Sequence, residues 1–73
     1  MKISQLLKML LTKGVAEWNG SKWIETDDEH YDTLCVKYHG LDSKPLFKVF
    51  TNGEYYEADS IEDMIHLVNN YQD

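Results

Sequence analysis

The stretch LFKVFTNGEYYEADS, residues 46–60, decides the fold of this chain. Residues 46–51 are almost continuously apolar, which is typical of a central strand. Asn52-Gly53 tolerates the positive φ angles of a two-residue hairpin turn, and the chain then returns as an antiparallel strand over residues 54–58. Because Tyr55 and Tyr56 are adjacent on that strand, they must point to opposite faces of the sheet.

A helix is predicted on each side of the strand region. The C-terminal helix opens at Asp59 or Ser60, since Asp59 with Glu62, or Ser60 with Asp63, has the spacing of a capping box. For the N-terminal helix, we expect Ser4 to cap the start and Gly14 to end it. Apolar residues recur at helical spacing in both segments, namely Ile3, Leu6, Leu7, Leu10 and Leu11, and then Ile61, Met64, Ile65, Val68 and Tyr71.

Two further strand signals lie between the helices. Asn19-Gly20 predicts a small hairpin, and residues 32–39 alternate between apolar and polar side chains as a half-buried strand does. The predicted fold is therefore α+β, a small antiparallel sheet of three to five strands with an N-terminal and a C-terminal helix packed on one face. With 73 residues, the chain is expected to form a single domain, residues 1–73.

The charge composition limits the classes of partner. The chain has no arginine, which is the side chain that binds phosphate through two parallel hydrogen bonds, and its formal net charge is −6. We therefore expect a protein with a basic surface as the partner, with no direct binding of nucleic acid and no membrane association.

The sequence also favours a cytoplasmic setting. The single cysteine, Cys35, fits a reducing environment. Lys8 interrupts the apolar segment at the start of the chain, which favours a helix over a signal peptide.

The acidic residues fall into two runs, which we expect to form one negative face. Residues 49–73 contain six acids and no lysine, a net charge of −6, whereas residues 1–24 have a net charge of +3. Ordinary solubilising charge is the alternative explanation, and composition leaves both open. The runs are Glu25, Asp27, Asp28, Glu29 and Asp32, and then Glu54, Glu57, Asp59, Glu62 and Asp63.

No motif in the sequence predicts catalysis. There is no phosphate-cradling glycine loop, nucleophile elbow or zinc-protease motif, and the histidines and Cys35 lack metal-ligand spacing. We expect neither an enzyme nor a bound cofactor or metal.

The aromatic residues are the better candidates for function, because Trp and Tyr are enriched in binding hot spots. Trp18, Trp23, Tyr31 and Tyr55 are the expected partner anchors, although each could instead complete the core.

Residues 46–56 followed by residues 60–71 resemble the closing strands and last helix of an SH2 domain. The arginine with which that family binds phosphotyrosine has no counterpart here, so the resemblance implies the hairpin and helix but no phosphopeptide binding.

In size, acidity and aromatic content, the chain is similar in type to inhibitors that phages encode against host nucleic-acid enzymes. The sequence thus predicts an acidic protein-binding module that mimics nucleic acid, or alternatively an assembly protein that dimerises through an exposed strand edge.

Overall fold

A computed structural model describes residues 2–26, 33–51 and 53–71, and these form the predicted α+β fold. The elements in chain order are α1 (Ile3–Lys13), β1 (Val15–Trp18), β2 (Trp23–Ile24), β3 (Cys35–Tyr38), β4 (Phe47–Thr51), β5 (Glu54–Ala58) and α2 (Ile61–Asn69). Within the described residues, five strands form one sheet in the order β2-β1-β3-β4-β5, with every neighbouring pair antiparallel. No helix in these ranges is long and apolar enough to cross a membrane.

Both helices pack on the same face of the sheet, as predicted. The strand register places Ala16, Val36 and Val49 in one row across β1, β3 and β4. Side chains from α1 and α2, including Leu10 and Met64, join that row in a single apolar core. Helix α1 lies over β1, β2 and β3, whereas α2 lies over β4 and β5, so each helix covers its own half of the sheet.

The face of the sheet opposite the helices is called the outer face here. Its central row includes Cys35 on β3, Phe50 on β4 and Tyr55 on β5, which are register partners across the three strands. Cys35 and Phe50 are buried even though neither helix covers them. In the adjacent row, Lys48 lies between Lys37 and Glu57.

All three expected helix caps lie in the described residues and can be compared with the structure. Gly14 ends α1 with a left-handed φ of 84°, and its N–H donates to the Leu10 carbonyl, as predicted. Ser60 caps α2 by accepting a hydrogen bond from the Asp63 N–H at 3.1 Å, which confirms the second of the two capping-box spacings. The Ser4 prediction was wrong. The N-cap residue of α1 is Lys2, two residues earlier, and Ser4 lies inside the helix.

Candidate protein-binding surface

The second acidic run lies along β5, an edge strand of the described sheet, and the start of α2. We call it the acidic edge and define it as Glu54, Glu57, Asp59, Glu62 and Asp63, all of which are exposed. In the described part of the chain, β5 pairs with β4 alone, so its other side is a free sheet edge. The helix dipole explains part of this arrangement, because carboxylates in a first helical turn are stabilised by the positive end of the helix.

The acidic edge presents charge to both faces of the sheet. The register places Glu54 on the helix side opposite Thr51, and it places Glu57 on the outer face opposite Lys48. Glu54 accepts a hydrogen bond of 2.6 Å from the Tyr56 hydroxyl. This hydrogen bond, together with the negative charge of Glu54, raises the pKa of Tyr56 above its ordinary value.

The first acidic run is not brought to the acidic edge where the structure describes it. Glu25 follows β2, which lies four strand spacings from β5, roughly 19 Å at about 4.8 Å per strand. It forms an ion pair with Lys13 at 3.6 Å, with both side chains largely in solvent. The other predicted contact residues of this run, Asp27, Asp28, Glu29 and Asp32, lie outside the described residues together with Tyr31. The expected single negative face is therefore not formed by the described carboxylates.

The two tryptophans are core residues, which corrects their assignment as surface anchors. Trp18 and Trp23 are register partners on the helix side of the sheet, with 9% and 2% of their surface exposed. Their ring centroids are 5.3 Å apart at an interplanar angle of 58°, a tilted aromatic pair. Because burial leaves too little of either ring accessible, neither tryptophan can anchor a partner in this conformation.

Tyr55 is the expected anchor that the structure does place at the surface. Its side chain is 51% exposed on the outer face, the face that also carries Glu57 two residues along β5. One side of the ring packs near Phe50, with centroids 5.9 Å apart, and the Lys48 Nζ lies 5.7 Å from the ring centroid. The Tyr55 ring is thus held in place while half of it remains available for contact.

A second surface feature, which the sequence did not predict, is an apolar groove between the two helices. We define the apolar groove by Leu7 and Leu11 of α1, Tyr38 and Phe47 at the floor, Leu41 in the β3–β4 turn, and Ile61 of α2. It lies where α1, which contacts β1, β2 and β3, meets α2, which contacts β4 and β5. Leu11 and Ile61 belong to the helical stripes expected to face the core, yet they are 72% and 50% exposed.

The one sequence signal for the groove was Leu41. This leucine is 84% exposed in the turn after Gly40, a position where an apolar side chain contributes nothing to the core. Isolated exposed leucines are common on protein surfaces, so only its position beside other exposed apolar residues distinguishes it. That proximity depends on the fold and could not be read from the sequence.

The reactive side chains are separated from one another. The Cys35 thiol is buried under the outer face, and His66 lies on the exposed side of α2. Among the residues that the structure describes, no three His, Cys, Asp or Glu side chains are grouped so as to hold a metal ion.

Comparison of the chain with protein-family models, with curated proteins and with solved structures found no match. The segment that resembles the end of an SH2 domain forms β4, β5 and α2, which is a local arrangement of hairpin and helix. The functional argument accordingly rests on the residues of this chain.

Proposed function

We propose that this protein is a binding module whose acidic edge occupies a basic surface of another protein. The observation that supports the proposal is the exposure of all five acidic-edge carboxylates in a segment without lysine. None of the five forms an ion pair with any residue in the described part of the chain. Their charge is therefore available to a partner.

The physical basis is electrostatic attraction followed by local contact. An uncompensated negative surface raises the rate of encounter with a positive one, and salt screens that attraction over roughly 10 Å at 0.1 M ionic strength. Exposed carboxylates alone contribute little affinity, because each must lose water to form its contacts. Tyr55 supplies the apolar contact that charge does not, since a half-exposed aromatic ring beside the acids can become buried on binding.

The proposed class of partner is a nucleic-acid-binding protein, such as a host defence enzyme inhibited by a phage protein. A basic patch is the electrostatic signature of a nucleic-acid site, and carboxylates placed against it would take the positions of phosphates. The protein itself lacks arginine and has a net charge of −6, so it is suited to compete with nucleic acid and unsuited to bind it.

The test combines capture with charge-matched variants. The immobilised protein should recover a basic nucleic-acid enzyme from host lysate at low salt, and nucleic acid should compete with that capture. Recovery should fall as salt rises. The series Glu57→Gln, Glu57→Gln/Glu62→Gln and Glu54→Gln/Glu57→Gln/Glu62→Gln should weaken capture step by step.

Glu25→Gln is the matched control, because it removes one exposed carboxylate at the opposite edge of the sheet. We expect it to leave capture nearly unchanged, whereas Glu57→Gln lowers it. Equal effects of these two variants would mean that net charge, rather than the acidic edge, drives binding. Capture that is insensitive to all of the variants would refute the proposal.

A further inference from the structure

The volume of the apolar groove indicates what it can accommodate. Its volume is about 160 Å³. That is close to the 150 Å³ of an engineered cavity that binds benzene, and well below the roughly 300–1,000 Å³ of sites for drug-sized ligands. The groove therefore accommodates one or two bulky apolar side chains and is too small for a cofactor.

The exposed apolar walls of the groove indicate that it is an interaction site. Leu11, Leu41 and Ile61 surround one depression, and together they are the aliphatic side chains most exposed among the described residues. At the floor, Tyr38 and Phe47 pack against each other with centroids 5.1 Å apart, so the floor is fixed by the core. A concave apolar surface with a rigid floor and exposed walls loses contact with water when a partner inserts into it.

The charges beside the groove indicate which partner fits. Exposed Asp42 follows Leu41 in the chain, and exposed Asp59 and Glu62 lie on either side of Ile61. Lys8, which follows Leu7 on α1, and Lys44, which lies in the same turn as Asp42, are exposed cations. The groove is thus acidic along the side formed by the start of α2, which favours apolar side chains flanked by Lys or Arg on that side.

The surroundings of the groove also constrain the partner's backbone. The walls are side chains of two helices and a turn, whereas the edge strands of the described sheet are β2 and β5. A bound segment therefore receives no ladder of backbone hydrogen bonds from the sheet and must satisfy its own N–H and C=O groups. A helix does so, and an amphipathic helix presents its apolar side chains in one row.

From these observations we infer that the apolar groove docks an amphipathic helix of the partner, with one or two bulky apolar side chains in the groove and basic residues facing Asp59 and Glu62. This inference rests on the proposed function and specifies which structural element of the basic partner is recognised.

The experiment uses a defined probe in place of the unidentified partner. The probe is a fluorescent helical peptide with leucines at positions i, i+3, i+4 and i+7 and lysines elsewhere. Its control is a peptide of the same composition, scrambled so that the leucines no longer share a face. Binding is measured by fluorescence anisotropy, and amide chemical shifts of the protein locate the contact.

The expected result is specific to the groove. The amphipathic peptide should shift amides at Leu11, Leu41 and Ile61, and the scrambled peptide should bind at least about tenfold more weakly. Leu41→Ser and Ile61→Ser should each weaken binding roughly ten- to hundredfold, the loss expected when one buried aliphatic contact is removed. The matched control, Asn69→Ser, shortens an exposed side chain at the opposite end of α2 from Ile61 and should change binding less than about twofold.

The contribution of the carboxylates beside the groove, Asp59 and Glu62, is recognised by its dependence on salt. Asp59→Asn/Glu62→Gln should weaken binding several-fold at low salt, while binding at high salt stays at the wild-type level. Leu41→Ser should weaken binding at both salt concentrations, because apolar contact is not screened.

Several outcomes would overturn the inference. These are wild-type binding by Leu41→Ser and Ile61→Ser, equal binding of the scrambled peptide, and amide shifts confined to other surfaces. A dimer in sedimentation that Leu41→Ser dissociates would assign the groove to a second copy of the chain, and Leu41-dependent binding to lipid vesicles without peptide binding would assign it to a membrane. If the groove variants fail while the Glu57 series still weakens capture, the proposed function stands without this docking site.

Discussion

Trp23→Ala tests whether the hairpin tryptophans serve the core or the surface. Trp23 is 2% exposed and pairs with Trp18 at 5.3 Å, so truncation removes a buried ring and leaves a cavity. Such a substitution costs about 3–5 kcal/mol. A chain of this length is expected to have a free energy of unfolding of about 4–11 kcal/mol, so the loss is a large fraction of the total.

Urea denaturation followed by circular dichroism measures this loss. With a slope of roughly 1 kcal/mol per molar for a small protein, the midpoint should fall by about 3–5 M, or the variant should be unfolded without urea. Trp23→Phe is the control, because it keeps an aromatic ring in the core, leaves a smaller cavity and should cost less than Trp23→Ala. It also removes an indole N–H that has no acceptor among the described residues. A loss below about 1 kcal/mol for Trp23→Ala, comparable to that of a surface substitution, would refute the core assignment.

Three other substitutions probe local features. Ser60→Ala should lower the free energy of unfolding by about 1 kcal/mol because it removes the hydrogen bond to the Asp63 N–H, whereas Ser60→Asp should keep most of it in thermal denaturation. Gly53→Ala should cost about 1–2 kcal/mol in the same assay, because φ at this turn residue is 85° and strain, without any steric clash, opposes a Cβ. Glu54→Gln should lower the pKa of Tyr56 toward its ordinary value in an absorbance titration, with Tyr56→Phe identifying the signal. Because the folded state raises this pKa, any stability linked to it is present below the ordinary tyrosine pKa and is lost as pH rises through the raised value.

The parts of the fold that the sequence predicted depend on local chemistry. Gly14 ends α1 and Ser60 begins α2 because a left-handed residue and a side-chain acceptor act within one turn of the helix. The hairpin at Gly53 and the exposure of Tyr55 follow in the same way from turn chemistry and strand alternation. Each of these features is specified by residues only a few positions apart.

The parts of the candidate site that the sequence could not predict depend on distant contacts. The hairpin puts Trp18 and Trp23 on one face of the sheet, but the pairing of β1 with β3 decides which face that is. Leu11 and Ile61 have the spacing of core residues and are nevertheless exposed, because the part of each helix that the sheet covers depends on the packing of the whole fold. A helical stripe therefore predicts an apolar face without predicting how far along its length that face is covered.

The acidic edge also bears on the homodimer alternative, because β5 is one of the two edge strands of the described sheet. Residues directly opposite each other in an antiparallel pair share a face, so two copies related by a two-fold axis would pair with Tyr55 opposite Tyr55 or with Tyr56 opposite Tyr56. Either register brings Glu54 and Glu57 of both copies into one short ladder, and charged residues on an edge strand oppose self-association. A partner with lysines or arginines on its own edge would reverse the sign of this interaction. The same carboxylates thus disfavour pairing between copies of this chain and favour a basic protein at the same edge.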